Sequence, residues 1–182
     1  MTDSPLSRIK LPGLLLAGGI AVAAAFTAAL ATSPAAAQAA SGSDYRNKIS
    51  NNMRACAPGG GPAVRVTVAG IRSATGTVRV QSYRGTKADW LEKGKWIHRI
   101  ELPARKGTMT FCMPVPEAGA YAIAARHDTN GNGKTDITQD GGAMSGNPSI
   151  NIFNLGRPSI EKTRFEATQG VTRLSITMLY FG

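Results

Sequence analysis

Pro62-Ala63-Val64-Arg65-Val66-Thr67-Val68 carries the pattern that decides the fold. Valine occupies every second position and alternates with Arg65 and Thr67, which is the period of a strand with one face in a core and the other toward water. β-Branched side chains also suit a pleated surface better than a helix. The same period returns at Val78 and Val80, with Arg79 and Gln81 between them, and residues 70–76 carry the glycines of a hairpin between the two runs. Further strands are expected over residues 97–102, 108–113 and 121–125, where Tyr121, Ile123 and Ala125 share a face. Two more are expected near 163–167 and over 171–181, the last with Leu174, Ile176, Met178 and Tyr180 on one side. Residues 44–54 and 88–91 suit short helical turns, and residues 141–148 read as a glycine-rich loop. About seven short strands with regular turn signals and no long helix make an all-β chain, an antiparallel β-sandwich. A porin-like barrel is disfavoured, because the chain lacks lipid-facing alternation with aromatic girdles.

Upstream of these strands the pattern changes. Arg8 and Lys10 precede an apolar stretch over residues 11–31, and Ser33-Pro34-Ala35-Ala36-Ala37 breaks it with small residues. This predicts a signal peptide, residues 1–37, cleaved after Ala37. The stretch is also about long enough to be an uncleaved anchor, although Gly18, Gly19 and the many alanines make it weakly hydrophobic. Residues 38–62 form a polar, Gly-rich lead-in that closes with Gly59-Gly60-Gly61-Pro62, and residues 63–182 form the sandwich domain. The exported chain is then periplasmic or secreted, with no transmembrane span left after cleavage.

The full sequence has a formal net charge of +10. Losing Arg8, Lys10 and Asp3 with the leader lowers it by one. The bases are scattered, with no run longer than two, which argues against a nucleic-acid arm. The expected partners are anionic envelope components such as lipid head groups, lipopolysaccharide or glycans, set against a basic surface that serves only solubility. Arg65, Arg79 and Arg84 would make an anion patch if they shared an outer face. The two cysteines, Cys56 and Cys112, lack the C-x-x-C spacing of a redox pair. In an oxidising compartment they predict one structural disulfide, worth on the order of 4 kcal/mol in the chain-entropy model.

His127-Asp128-Thr129-Asn130-Gly131-Asn132-Gly133-Lys134-Thr135-Asp136 follows the central strand. Asp128, Asn130, Asn132 and Asp136 fall at positions one, three, five and nine of a calcium loop, with Gly133 at six. Position twelve is Gln139, so only weak calcium binding is expected from them, and an Asx-rich turn needs no metal at all. No other cofactor is suggested. A hydrolase using His127, Asp128 and Ser145 is the alternative function, although no G-x-S-x-G elbow surrounds Ser145. Trp90 and Trp96 bracket Glu92-Lys93-Gly94-Lys95 and suit either a plug at the open end of the sandwich or a stacking platform.

The run from Pro116 to Ala124, followed by His127-Asp128-x-Asn130-Gly131-Asn132-Gly133-Lys134-x-Asp136, resembles the core signature of a bacterial family, domain-of-unknown-function family 2141. Ile71-Arg72-Ser73-x-x-Gly76-x-Val78 is similar to its opening hairpin, and Gly156-Arg157-Pro158-Ser159 with Phe165 to later positions. The resemblance covers roughly residues 63–181. It implies a secreted single-domain sandwich, transthyretin-like or carboxypeptidase-regulatory-like, and no established enzyme activity. The family pattern continues with Gly-x-Pro and Gly-Phe-Ser-Asn runs, whereas this chain reads Gly141-Gly142-Ala143-Met144-Ser145-Gly146-Asn147. The reading that follows is a non-enzymatic exported module for binding or envelope association.

Overall fold

Alternation of apolar and polar residues folds this chain into two packed sheets. The computed structural model describes residues 45–151 and 156–181. The expected leader, residues 1–37, lies outside the described residues, as does the start of the lead-in. Strand β1 (Asn47–Lys48) and a 3-10 turn (Met53–Cys56) come first. They are followed by β2 (Ala63–Ile71), β3 (Thr77–Arg84), β4 (Trp96–Pro103), β5 (Gly107–Pro114), β6 (Gly119–Asp128) and β7 (Gly141–Met144). A helical turn, α1 (Ile160–Thr163), leads to β8 (Phe165–Ala167), β9 (Val171–Thr177) and β10 (Leu179–Tyr180). The larger sheet runs β1-β4-β3-β6-β7-β10, with β8 paired to the start of β6, and the smaller runs β5-β2-β9.

The valines do what their period requires. Val64, Val66 and Val68 of β2 lie fully buried against Val78, Val80, Ile100 and Ile123 of the opposite sheet, with Phe111 and Met113 of β5 closing the layer. Burying a side chain of this size contributes roughly 1.5–3 kcal/mol. The sandwich-like all-β class is therefore as the pattern indicates. Cys56 and Cys112 form a disulfide over a separation of 56 residues, with both side chains buried. A buried disulfide is the usual mark of a chain folded in an oxidising compartment. Among the described residues no helix is long and apolar enough to cross a membrane.

Four details differ from the sequence expectation. Residues 70–76 are not a hairpin, because β2 and β3 lie in different sheets. The segment is a crossover closed at Gly76 (φ +72), where a side chain would collide with the Asp128 carbonyl. The expected last strand is two strands. At Met178, whose N–H donates to the Ala69 carbonyl, the chain leaves β9 in the smaller sheet and enters β10 in the larger. Alternation survives this switch because both pieces face the same core. Residues 141–144 are a strand, not a loop, since Gly141 lets the backbone lie under Met178 and Tyr180 where a Cβ would not fit. Finally, β1–β4 and β2–β9 pair in parallel, so the sandwich is not wholly antiparallel.

Candidate functional site

Facing away from the core, the larger sheet carries a second surface. Residues alternate across a strand, so Tyr121, Ile123 and Ala125 of β6 point inward while Ala122, Ala124 and Arg126 point outward. On this outer face a separate apolar cluster forms from Tyr83, Trp90, Trp96, Ala122, Met144, Ile150 and Ile160. Trp90 donates its Nε1–H to the Pro158 carbonyl at 2.7 Å and meets Tyr83 edge-on at 5.4 Å. Both tryptophans are buried here, 7% and 8% exposed. Trp90 is thus neither the expected end plug nor a stacking platform. It anchors the residue 85–95 loop over the sheet.

Between these covering loops lie two adjoining clefts of about 530 and 840 Å³, which share Arg79, Gln81, Tyr83, Leu91, Arg126 and Thr135. Volumes of this order are usual for small-molecule sites, about 300–1,000 Å³. Three neighbouring strands each place one arginine here: Arg79 on β3, Arg99 on β4 and Arg126 on β6. Register sets Arg79 directly opposite both Arg126 and Glu101, and Gln81 opposite Arg99. Like charges facing each other across a strand pair are destabilising.

The partners only partly compensate. Arg79 Nε donates to Glu101 at 2.8 Å, and Arg126 donates to Asp128 at 3.0 Å and to Thr135 Oγ1 at 2.9 Å. Arg99 lies over the Trp96 ring at 4.2 Å. The Nε groups of Arg99 and Arg126 are buried with no hydrogen-bond partner. Burial, and then the charge of Arg79, lower the pKa of Arg99 against the favourable pull of Glu101. Burial raises the pKa of the Tyr83 hydroxyl, against the charges of Arg99, Arg79 and Arg157. The second cleft also receives Arg46, Lys48 and Lys93, with Glu92 its one lining acid. Glu92 is itself paired to Arg157 at 3.0 Å. The arrangement is a recess with excess positive charge and two buried N–H donors left unmet.

The loop that carries the expected calcium residues borders the clefts through Gly133, Thr135, Ile137 and Asp140, while the polar atoms of the four expected residues turn on one another. Asp128 accepts the N–H groups of Gly131 and Gly133, each at 2.9 Å, as well as Arg126. Asn130 and Asn132 accept the N–H groups two residues ahead, and both donate their amides to one oxygen of Asp136, at 2.8 and 2.7 Å. Asp140, absent from the expected set, accepts Thr129 N–H at 3.1 Å and Asp136 N–H at 3.0 Å. The four residues do come together, as a ladder of Asx turns whose carboxylates are satisfied by the loop. Among the described residues no group of three or more His, Cys, Asp or Glu side chains is placed to hold a metal.

The alternative hydrolytic set does not assemble. Ser145 is fully buried, donates to the Thr163 carbonyl and accepts Ile123 N–H at 2.9 Å. It sits beside Ile123, four residues along β6 from His127, or about 13 Å at the rise of a strand. His127 Nε2–H donates to the Thr75 carbonyl at 2.8 Å, and Nδ1 meets the Tyr180 hydroxyl at 2.6 Å. That ring ties the crossover to β10 on the core side, while Asp128 faces the outer side. The catalytic reading is corrected on this geometry.

The suggested patch of Arg65, Arg79 and Arg84 is corrected as well. Arg65 lies on β2 in the smaller sheet, opposite Arg173, and Arg84 lies opposite the inward-facing Tyr121. Arg79 alone of the three lines the cleft. The missed partners, Arg99 and Arg126, had a signal: each stands at a polar position of its strand, as Arg79 does between Val78 and Val80. A family model described as "Uncharacterized protein conserved in bacteria (DUF2141)" matches residues 66–175. No curated protein and no solved structure matches the chain.

Proposed function

The chain belongs to this bacterial family, and from its outer-face cleft we propose that it is an exported, non-enzymatic binding domain for an anionic ligand. One observation carries the reading. Three arginines from three adjacent strands share a recess in which two buried Nε–H groups lack acceptors. A folded domain accepts such a like-charge cluster at some loss of stability, and a bound carboxylate or phosphate would offset it with charge-assisted hydrogen bonds. Export is supported by the buried Cys56–Cys112 bridge and by the leader pattern in residues 1–37. An anion-binding domain outside the cytoplasm has its natural partners among the anionic components of the envelope.

Isothermal calorimetry of the purified protein with inorganic phosphate and sulfate, beside Arg99→Gln, tests the reading. Binding that Arg99→Gln weakens at least tenfold is expected. Equal binding by both proteins, or none by either, would move the ligand away from these arginines.

A further inference from the structure

The cleft is not uniformly charged, and its two halves differ in kind. Arg79, Arg99 and Arg126 all line the larger cleft, whereas Met144 and Ile150 line only the smaller, and Leu91 borders both. At the edge of the smaller stand Ile137 and Phe181, 53% and 44% exposed. Among the described residues only one other large apolar side chain, Leu179, is comparably exposed. Two of the three therefore fall at one cavity, where a scattered surface would not concentrate them. Ile137 sits near the tip of the 129–140 loop, and Phe181 follows β10. Neither belongs to the core, so core packing does not explain their placement.

We infer that the ligand is an anionic amphiphile, a single-chain molecule with a carboxylate or phosphate head on the arginines and a hydrocarbon tail along the apolar half. The inference rests on the anion-binding reading above and narrows it. Charge complementarity fixes the head end, because the recess has excess guanidinium and unpartnered Nε–H groups. The exposed rim fixes the tail end, since covering Ile137 and Phe181 removes apolar surface from water. A cleft of about 530 Å³ suits one chain of moderate length rather than a lipid surface. A glycan fits less well. Beside the arginines the lining residues Leu91, Met144, Ile150 and Ile137 offer a sugar no hydrogen bonds, and both tryptophans are buried.

The test is calorimetry on the purified protein with inorganic phosphate, with hexyl, octyl and decyl phosphate, and with octanoate and decanoate. All chains are used below their aggregation concentrations. Octyl glucoside serves as the neutral chain, an anionic oligosaccharide as the glycan probe, and phosphatidylglycerol vesicles as the lipid surface. Affinity is expected to rise about fourfold per added methylene, for phosphates and carboxylates alike, and octyl glucoside to bind at least tenfold more weakly than octyl phosphate. Ile137→Asn, neutral and on an exposed loop, should flatten the chain-length series by far more than it weakens inorganic phosphate binding. Phosphate binding without chain-length dependence, or tighter binding of the oligosaccharide, would overturn the amphiphile and leave the anion site standing. Binding to vesicles but to no monomeric chain would also overturn it. Failure of every anion, the oligosaccharide included, would overturn both readings.

Discussion

Asp128 shows how much one buried carboxylate can hold. It is 3% exposed, yet it is satisfied by two backbone N–H groups and the Arg126 guanidinium. Asp128→Ala removes all three bonds and leaves Arg126 without its counter-charge, so a loss of about 3 kcal/mol is expected in denaturant melts. The same bonds bear on calcium. A cation entering among Asp128, Asn130, Asn132 and Asp136 must displace N–H groups that already occupy their oxygens, and the melting temperature should agree within about one degree between millimolar calcium and chelator. A rise of several degrees would instead assign those four residues a weak calcium site. His98 sets a pH dependence. Burial lowers its pKa, against the hydrogen bond from Nδ1 to the Pro114 carbonyl. Below the ordinary histidine value, 6.5, the unfolded chain then binds the proton more readily than the folded one. Stability is fully present above that value and falls as pH drops through the window beneath it. Melting temperature should decline from pH 7 to pH 5.5, and His98→Gln should flatten that slope.

At the scale of elements, the 3-10 turn is held to β5 by more than its disulfide. Asn51 just before it donates to the Thr110 carbonyl and accepts Cys112 N–H, both at 2.9 Å. Replacing both cysteines by alanine should cost about 4 kcal/mol from the 56-residue separation, which lowers the melting temperature by roughly 15 °C in a domain this size. Reduction of the native protein should have the same effect, whereas a shift under about 3 °C would mean that the Asn51 contacts hold the turn by themselves. The strands themselves were legible wherever burial was one-sided, because Val64 to Val68 and Tyr121 to Ala125 each write their face into the chain. Sheet membership was not legible. A run such as 171–181 keeps its alternation while crossing from one sheet to the other, since period reports the core and not the hydrogen-bonded neighbour. Strand β7 was hidden for the opposite reason. Gly141 and Gly142 have no strand propensity, and what explains the first is a tertiary contact, the Met178 and Tyr180 side chains packed where its Cβ would be. The cleft was readable only in single residues, Arg79 among them, because the register that sets Arg79 against Arg126 is a tertiary fact.

For the whole molecule, the cleft sets stability against binding. The chain carries a strong net positive charge, and the arginine trio collects part of it on one half-buried face. Without a ligand, Arg99 contributes repulsion toward Arg79 and a buried Nε–H with no acceptor. Its compensation is stacking on Trp96 and the more distant charge of Glu101. The push of Arg79 on Arg99 is opposed by the pull of Glu101, and an unmet buried donor of about 1–3 kcal/mol exceeds a cation–π contact near 0.5–1 kcal/mol. Arg99→Met keeps the apolar stem over Trp96 and removes the unmet donor. It should therefore melt about 4 °C above the native protein when no anion is present. With saturating octyl phosphate the order should invert, because a ligand held a hundredfold above its dissociation constant adds about 2.7 kcal/mol to the native fold and little to the variant. Melting curves with and without ligand check both halves. If Arg99→Met melts lower in each condition, the arginine is an ordinary structural residue of β4, and the excess charge of the cleft is not held in reserve for a ligand.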